Sequence, residues 1–205
     1  MQIEKDTYKT VLKPSNEVLF KEKKSKFYSY VFPIQKEEDA KPIIEELRKK
    51  HHTANHVCYA WQLGVEKVNY RANDDGEPNN SAGMPIYGQI KSFNVTNVLI
   101  AVVRIFGGTK LGVGGLISAY RNSAELALNE AKIVEQILTN TFEITFDYKE
   151  MDKVMRIIKQ NQLQIVSQKM EMNCSIHFSV RKKDSNKIET IFKANHEIKI
   201  KKISL

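Results

Sequence analysis

Cys58 and Cys174 are the only cysteines in 205 residues. Two are too few for a disulfide framework or a cysteine-rich zinc site, and they imply a reducing compartment with the cytoplasm as default. Long apolar runs are missing as well, since no stretch approaches the roughly 18 residues that a membrane span needs. The start, MQIEKDTYKT, has no apolar core of a secretory signal, so a cytoplasmic chain without a membrane partner is expected. Glycine and proline are absent from residues 116–205, which marks a change of composition near Gly115. Repeats and low-complexity segments are absent throughout.

What is present in excess is positive charge. The net charge is +8, with 19 Lys/Arg against 16 Asp/Glu in residues 1–139 and 13 against 8 in residues 140–205. That bias favours phosphate-rich partners such as RNA, while solvated surface lysine is the plainer explanation. A hydrophobic content of 41% leaves enough apolar residue for one large core or two smaller ones.

The residues after 138 show clear periodicity. Phe142, Ile144, Phe146 and Tyr148 alternate as in a half-buried strand, and Met151, Val154, Met155 and Ile158 follow at helical spacing. Strands are expected at 163–169, 174–180 and 197–203, with a helix around Ile188–Phe192. The order βαββαβ is the ferredoxin-like plan. Before residue 138, strands are expected at 17–23 and 26–33, a helix around 40–47, and a hairpin of 57–63 with 67–72. The run VLIAVVRIF within 95–106 reads as a central strand covered on both faces. A helix then begins near Leu116. The expected class is α+β in two domains, 1–137 and 138–205.

Three stretches can carry chemistry. In RIFGGTKLGVGGLISAY, residues 104–120, five of the nine glycines fall between Gly107 and Gly115. A strand, a glycine loop and a helix in succession turn free backbone N–H groups and a helix's positive end toward one place. Arg104, Gly107, Gly108, Thr109, Lys110, Gly112, Gly114, Gly115 and Arg121 are the candidate anion or nucleic-acid binders, with tight strand–helix packing as the alternative. The residues match neither a Walker motif nor GxGxxG. In NDDGEPNNSAGMPI, residues 73–86, Asp74, Asp75 and Glu77 offer acidic oxygens without EF-hand spacing, and Ser81 is placed to cap the helix that follows. In HHTANHVCYAW, residues 51–61, His56 and Cys58 share one side of a strand. A nucleophilic pair is conceivable there, and a small buried cysteine is the alternative. Asp74, Asp75, Glu77, Cys58 and His56 are thus the catalytic candidates. No metal site and no cofactor are expected.

HVCYAW at 56–61, DDGEP at 74–78, SAGMPI at 81–86 and VVRIFGGTKLGVGGLISAY at 102–120 together resemble the IMPACT/YigZ family across most of residues 17–130. The resemblance implies an N-terminal domain like the second domain of ribosomal protein S5. It also implies a C-terminal domain like the fifth domain of elongation factor G. The sequence departs from the family's pattern at Ile105, where an aromatic is usual, at Ser81 for Thr, and at Ser118 for Arg. Eukaryotic members resemble regulators that bind a ribosome-associated activator of the amino-acid-starvation kinase, through an extra N-terminal domain that 205 residues leave no room for.

These observations favour a non-enzymatic, translation-associated regulator with RNA or a ribosome-associated protein as partner and no sequence-specific DNA binding. An enzyme acting on a phosphorylated small molecule or nucleotide is the alternative, and it requires the glycine loop and the DDGE loop to share one cleft. A ligand-free interaction module is a third reading.

Overall fold

The computed structural model describes residues 6–203. They divide into two compact units, residues 8–136 and the residues from 137 onward together with Asp6 and Thr7. The class is mixed α/β, and no helix among the described residues is long and apolar enough to cross a membrane.

The first unit is organised by a five-stranded sheet. Its strands are β2 (Val18–Glu22), β3 (Ser25–Pro33), β4 (His56–Leu63), β5 (Asn69–Asn73) and β6 (Val98–Ile105), in the order β2-β3-β6-β4-β5. All neighbours are antiparallel. The central position of β6 explains its apolar run, because Val98, Ile100 and Val102 enter one core while Leu99, Ala101 and Val103 enter another. Helix α1 (Ala40–Lys50) covers the second face with Ala40, Ile44 and Leu47. Helices α2 (Gly83–Ser92) and α3 (Gly112–Glu130) cover the first, through Ile86 and Ile90 and through Leu116, Tyr120 and Ala124.

Two strands have no counterpart in the periodicity reading. β1 (Thr7–Val11) and β7 (Ile133–Ile137) pair with each other, and Val11 and Ile133 extend the core under α2 and α3. Neither segment alternates with period two, the apolar residues being Tyr8 and Val11 in one and Ile133, Val134 and Ile137 in the other.

In the second unit the elements run β8 (Thr139–Asp147), α4 (Met151–Gln160), β9 (Gln164–Lys169), β10 (Asn173–Arg181), α5 (Ser185–Lys193) and β11 (Lys199–Ile203). The sheet order is β11-β8-β10-β9, antiparallel throughout. Phe142, Ile144, Cys174, Ile176 and Phe178 pack with Val154, Ile158, Ile188 and Phe192 in one core. The opposite face of the sheet is polar, with Glu143 meeting Lys201 at 2.6 Å and His177 at 3.3 Å.

A polar cluster closes the α1 side of the first unit. The Tyr30 hydroxyl donates to Glu17 and lies 2.6 Å from His51 Nε2, while Lys50 reaches Glu17 at 2.9 Å. The Tyr30 bond holds the Glu17 carboxyl below its ordinary range, and desolvation lowers His51. Each group therefore takes up a proton more readily in the unfolded chain. Unfolding stability should fall as the pH drops below ~6.5, through His51, and fall again below ~4.3, through Glu17. Urea unfolding between pH 8 and about pH 2.5, which spans both windows, checks this, with Glu17→Gln flattening the lower step and His51→Asn the upper. A pH-independent midpoint across that interval would contradict the assignment.

Candidate functional site

Three connections of the first unit meet at one end of the sheet. They are the entry to β4, residues 74–82 between β5 and α2, and residues 106–111 between β6 and α3. Each is held by polar groups that the sequence supplies locally.

In the second connection, Asp75 and Gly76 adopt φ of 46° and 87°, the left-handed geometry of a tight turn. Asp74 turns inward, its Oδ1 accepting the N–H groups of Ala82 and Gly83 at 2.9 and 2.8 Å and its Oδ2 that of Asn80 at 2.9 Å. It therefore satisfies the free donors at the start of α2. Ser81, the expected cap, instead donates to the Pro78 carbonyl at 2.6 Å. The Asp wins because a carboxylate with two oxygens can serve three amides at once. Asp75 accepts the Val57 N–H at 2.6 Å and pairs with Arg48 at 2.5 Å. Both aspartates thus hold the loop in shape.

Glu77 occupies the centre. Its side chain is 4% exposed, and its Oε1 accepts from Arg104 Nη1 at 2.6 Å and from the Tyr120 hydroxyl at 2.8 Å. Arg104 is 7% exposed, with its guanidinium 5.6 Å from the Phe27 ring and 5.5 Å from the Phe106 ring. Its Nε is buried without a hydrogen-bond partner. The sequence placed Arg104 beside the loop as a free cation; the structure makes it the neutralised partner of Glu77. Tyr120, the third member of the cluster, stands in α3, the helix that begins at Gly112, and its apolar spacing there signals core packing and not a polar contact.

Cys58 lies on the same face of β4 as His56, but its sulfur is 3.0 Å from the Asp74 carbonyl oxygen and 3.3 Å from the Tyr120 hydroxyl oxygen. Burial pushes its thiol well above the ordinary range, and the nearby Glu77, Asp75 and Asp74 charges act in the same direction. A thiol held protonated in this way supplies no thiolate. His56 Nδ1 is 2.8 Å from the Asp75 carbonyl, and its Nε2 is 4.0 Å from Glu77 Oε1.

The glycines of the third connection serve different purposes. A Cβ on Gly107 would come within 2.0 Å of the Lys24 backbone, so this position needs closeness. Its N–H donates to Ser25 Oγ at 3.2 Å, and that of Phe106 to Asn55 Oδ1 at 2.9 Å. Gly108 and Gly112 have φ of 85° and 73°. Beside Gly108, Gly112 and Gly114 a Cβ would meet nothing within 4 Å, so the main chain is bare there. Among the described residues, no acceptor takes the N–H of Gly108, Thr109, Lys110, Leu111 or Gly112. Val113 and Gly114 follow as first-turn residues of α3, where N–H groups have no partner one turn back.

Between these parts lies a cleft of about 450 Å³. Asn55, His56, Glu77 and Arg104 line it together with Phe106, Lys110, Gly112 and Val113. The glycine loop and the DDGE loop therefore converge. Arg121 is exposed and does not line the cleft. No group of three or more His, Cys, Asp or Glu among the described residues is arranged to hold a metal ion.

The segment that builds this cleft is the one matched by the Impact N-terminal domain family, which covers residues 23–128, more than half of the chain. The chain belongs to the IMPACT family. It is similar to the IMPACT family member YvyE of Bacillus subtilis, with 32% identity over 163 residues, covering 80% of this chain and 75% of that one. A protein IMPACT homolog of Saccharomyces cerevisiae is 32% identical over 93 residues, 43% of this chain and 35% of its own. A crystal structure described only as that of a hypothetical protein shares the fold, with a TM-score of 0.68, 21% identity and 98% of both chains covered.

For this IMPACT family member, Glu77→Ala should destabilise the fold by about 3–5 kcal/mol, because it strands the buried Arg104 charge. Adding Arg104→Met should recover much of that loss. Urea unfolding of the single and double variants is the measurement. A loss below about 1 kcal/mol for Glu77→Ala would mean that the pair does not organise the site.

Proposed function

We propose that this chain is a translation-associated regulator that acts in the cytoplasm by binding RNA, seating a phosphate on the amides of residues 108–113. The observation that carries this reading is the unpartnered main chain at Gly108–Gly112, of which Lys110, Leu111 and Gly112 line the cleft. Bare N–H groups at the start of a helix attract an anion through both hydrogen bonds and the helix dipole. Lys110 adds a mobile charge. The net charge of +8 supplies a long-range attraction to nucleic acid.

The architecture supports the same reading. We assign residues 8–136 to the class of the second domain of ribosomal protein S5. The βαββαβ order of residues 139–203, with its outer and inner strands interleaved as β11-β8-β10-β9, supports a ferredoxin-like domain similar to the fifth domain of elongation factor G. A ribosome-associated protein is the other partner that family resemblance suggests.

One observation favours the alternative of an enzyme acting on a phosphorylated small molecule or nucleotide: the two loops share one cleft. Against it stands the use of the carboxylates. Asp74 and Asp75 accept backbone N–H groups, and Glu77 is bound to Arg104 and Tyr120. A proton-transfer or metal-binding role would have to break those bonds.

Measured by anisotropy with a labelled single-stranded RNA, affinity should fall as salt rises. Lys110→Ala should reduce the magnitude of the log–log slope by about one, the share of a single phosphate contact. An unchanged slope would remove the loop from the binding surface. Turnover of RNA or nucleotide during the same incubation would favour the enzyme.

A further inference from the structure

We infer that His56 is the residue by which the cleft distinguishes RNA from DNA, accepting a hydrogen bond from a ribose 2′-hydroxyl next to the seated phosphate. This rests on the reading above, that the cleft binds a nucleic-acid phosphate.

The argument begins with the ring's two nitrogens. Nδ1 lies 2.8 Å from the Asp75 carbonyl oxygen, and a carbonyl can only accept. Nδ1 therefore carries the proton, and in the neutral ring Nε2 presents a lone pair. Its near neighbour is Glu77 Oε1 at 4.0 Å, another acceptor and beyond hydrogen-bond distance. That oxygen already takes Arg104 Nη1 and the Tyr120 hydroxyl. Among the described residues no donor bonds to Nε2.

His56 is half-buried and lines the cleft with Lys110, Gly112 and Val113. The cleft thus combines a set of donors suited to an anion with one fixed acceptor suited to a neutral O–H or N–H. Arg104 lines the same cleft and is more than nine-tenths buried; its Nη1 is taken by Glu77, while its Nη2 bonds to no group among the described residues. A ribonucleotide carries a phosphate and, one sugar carbon away, a hydroxyl able to donate; a deoxyribonucleotide lacks the hydroxyl. The exposed Phe106 ring borders the cleft and offers a flat surface to the attached base.

The test uses the full chain and three fluorescein-labelled single strands of one sequence: RNA, DNA and 2′-O-methyl RNA. Wild type should bind RNA roughly fivefold more tightly than DNA, the share of one hydrogen bond. The 2′-O-methyl strand, which cannot donate, should behave as DNA does. His56→Asn keeps a donor for the Asp75 carbonyl and removes Nε2, so it should bring the RNA constant to the DNA one, whereas His56→Gln should restore part of the preference. Equal wild-type affinity for the three strands overturns the inference while leaving phosphate binding intact, and so does a preference that survives in His56→Asn. Binding to none of them overturns the reading on which it rests. If His56→Asn does not fold, judged by its urea midpoint, the ¹⁵Nε2 signal of the wild-type His56 ring decides: it should shift on adding RNA and not on adding the 2′-O-methyl form, and equal shifts with both overturn the inference.

Discussion

The ion pair between Glu77 and Arg104 joins three segments that are far apart in sequence. Arg104 is the last residue but one of the central strand β6, Glu77 sits in the loop leading to α2, and Tyr120 on α3 bonds to the same carboxylate oxygen. Two charges this deeply buried gain little net stability over an apolar pair. Their effect is on position: each charge makes any other arrangement of the loop expensive, because the partner would be left buried and alone. The aromatic rings of Phe27 and Phe106 confine the guanidinium further.

From that constraint the cleft follows. With the 74–82 loop anchored to the end of β6, its neighbour across the gap can only be the connection from β6 to α3. Gly107 lets that connection pass against the Lys24 backbone, and Gly108 and Gly112 turn it in the left-handed region. Gly108, Gly112 and Gly114 carry no side chain and have open space beside them, so the main chain is uncovered at those points. The acidic residues opposite do structural work, satisfying amides that would otherwise be unpaired at the entry to α2 and β4. A cleft results in which main-chain donors are free and the carboxylates are occupied, which is why we propose that it holds a phosphate and does not transform one.

Much of this fold was legible beforehand because alternation and helical spacing act locally. The strands and helices after residue 138 lie where Phe142, Val154, Cys174 and Ile188 placed them, and the both-faces burial of β6 follows from VLIAVVRIF. The same alternation held a signal for Arg104: it shares parity with Val98, Ile100 and Val102, the face covered by α2 and α3. Its burial requires an acid at that spot, and only the fold brings Glu77 there, 27 residues away in sequence. The capping of α2 by Asp74 was hidden for a similar reason, since the bond spans eight and nine residues whereas a local cap spans two or three. β1 and β7 escaped because they pair only with each other from the two ends of a long segment, and neither shows a clean pattern.

The central claim is that an anionic partner is held by the main chain between Gly108 and Val113. Amide-resolved NMR of the full chain, titrated with a short single-stranded RNA, addresses it most directly. The account predicts that the ¹⁵N–¹H signals of Gly108, Thr109, Gly112 and Val113 move first and saturate together with the measured affinity. Signals that stay fixed in this segment while those of the second unit shift would contradict it.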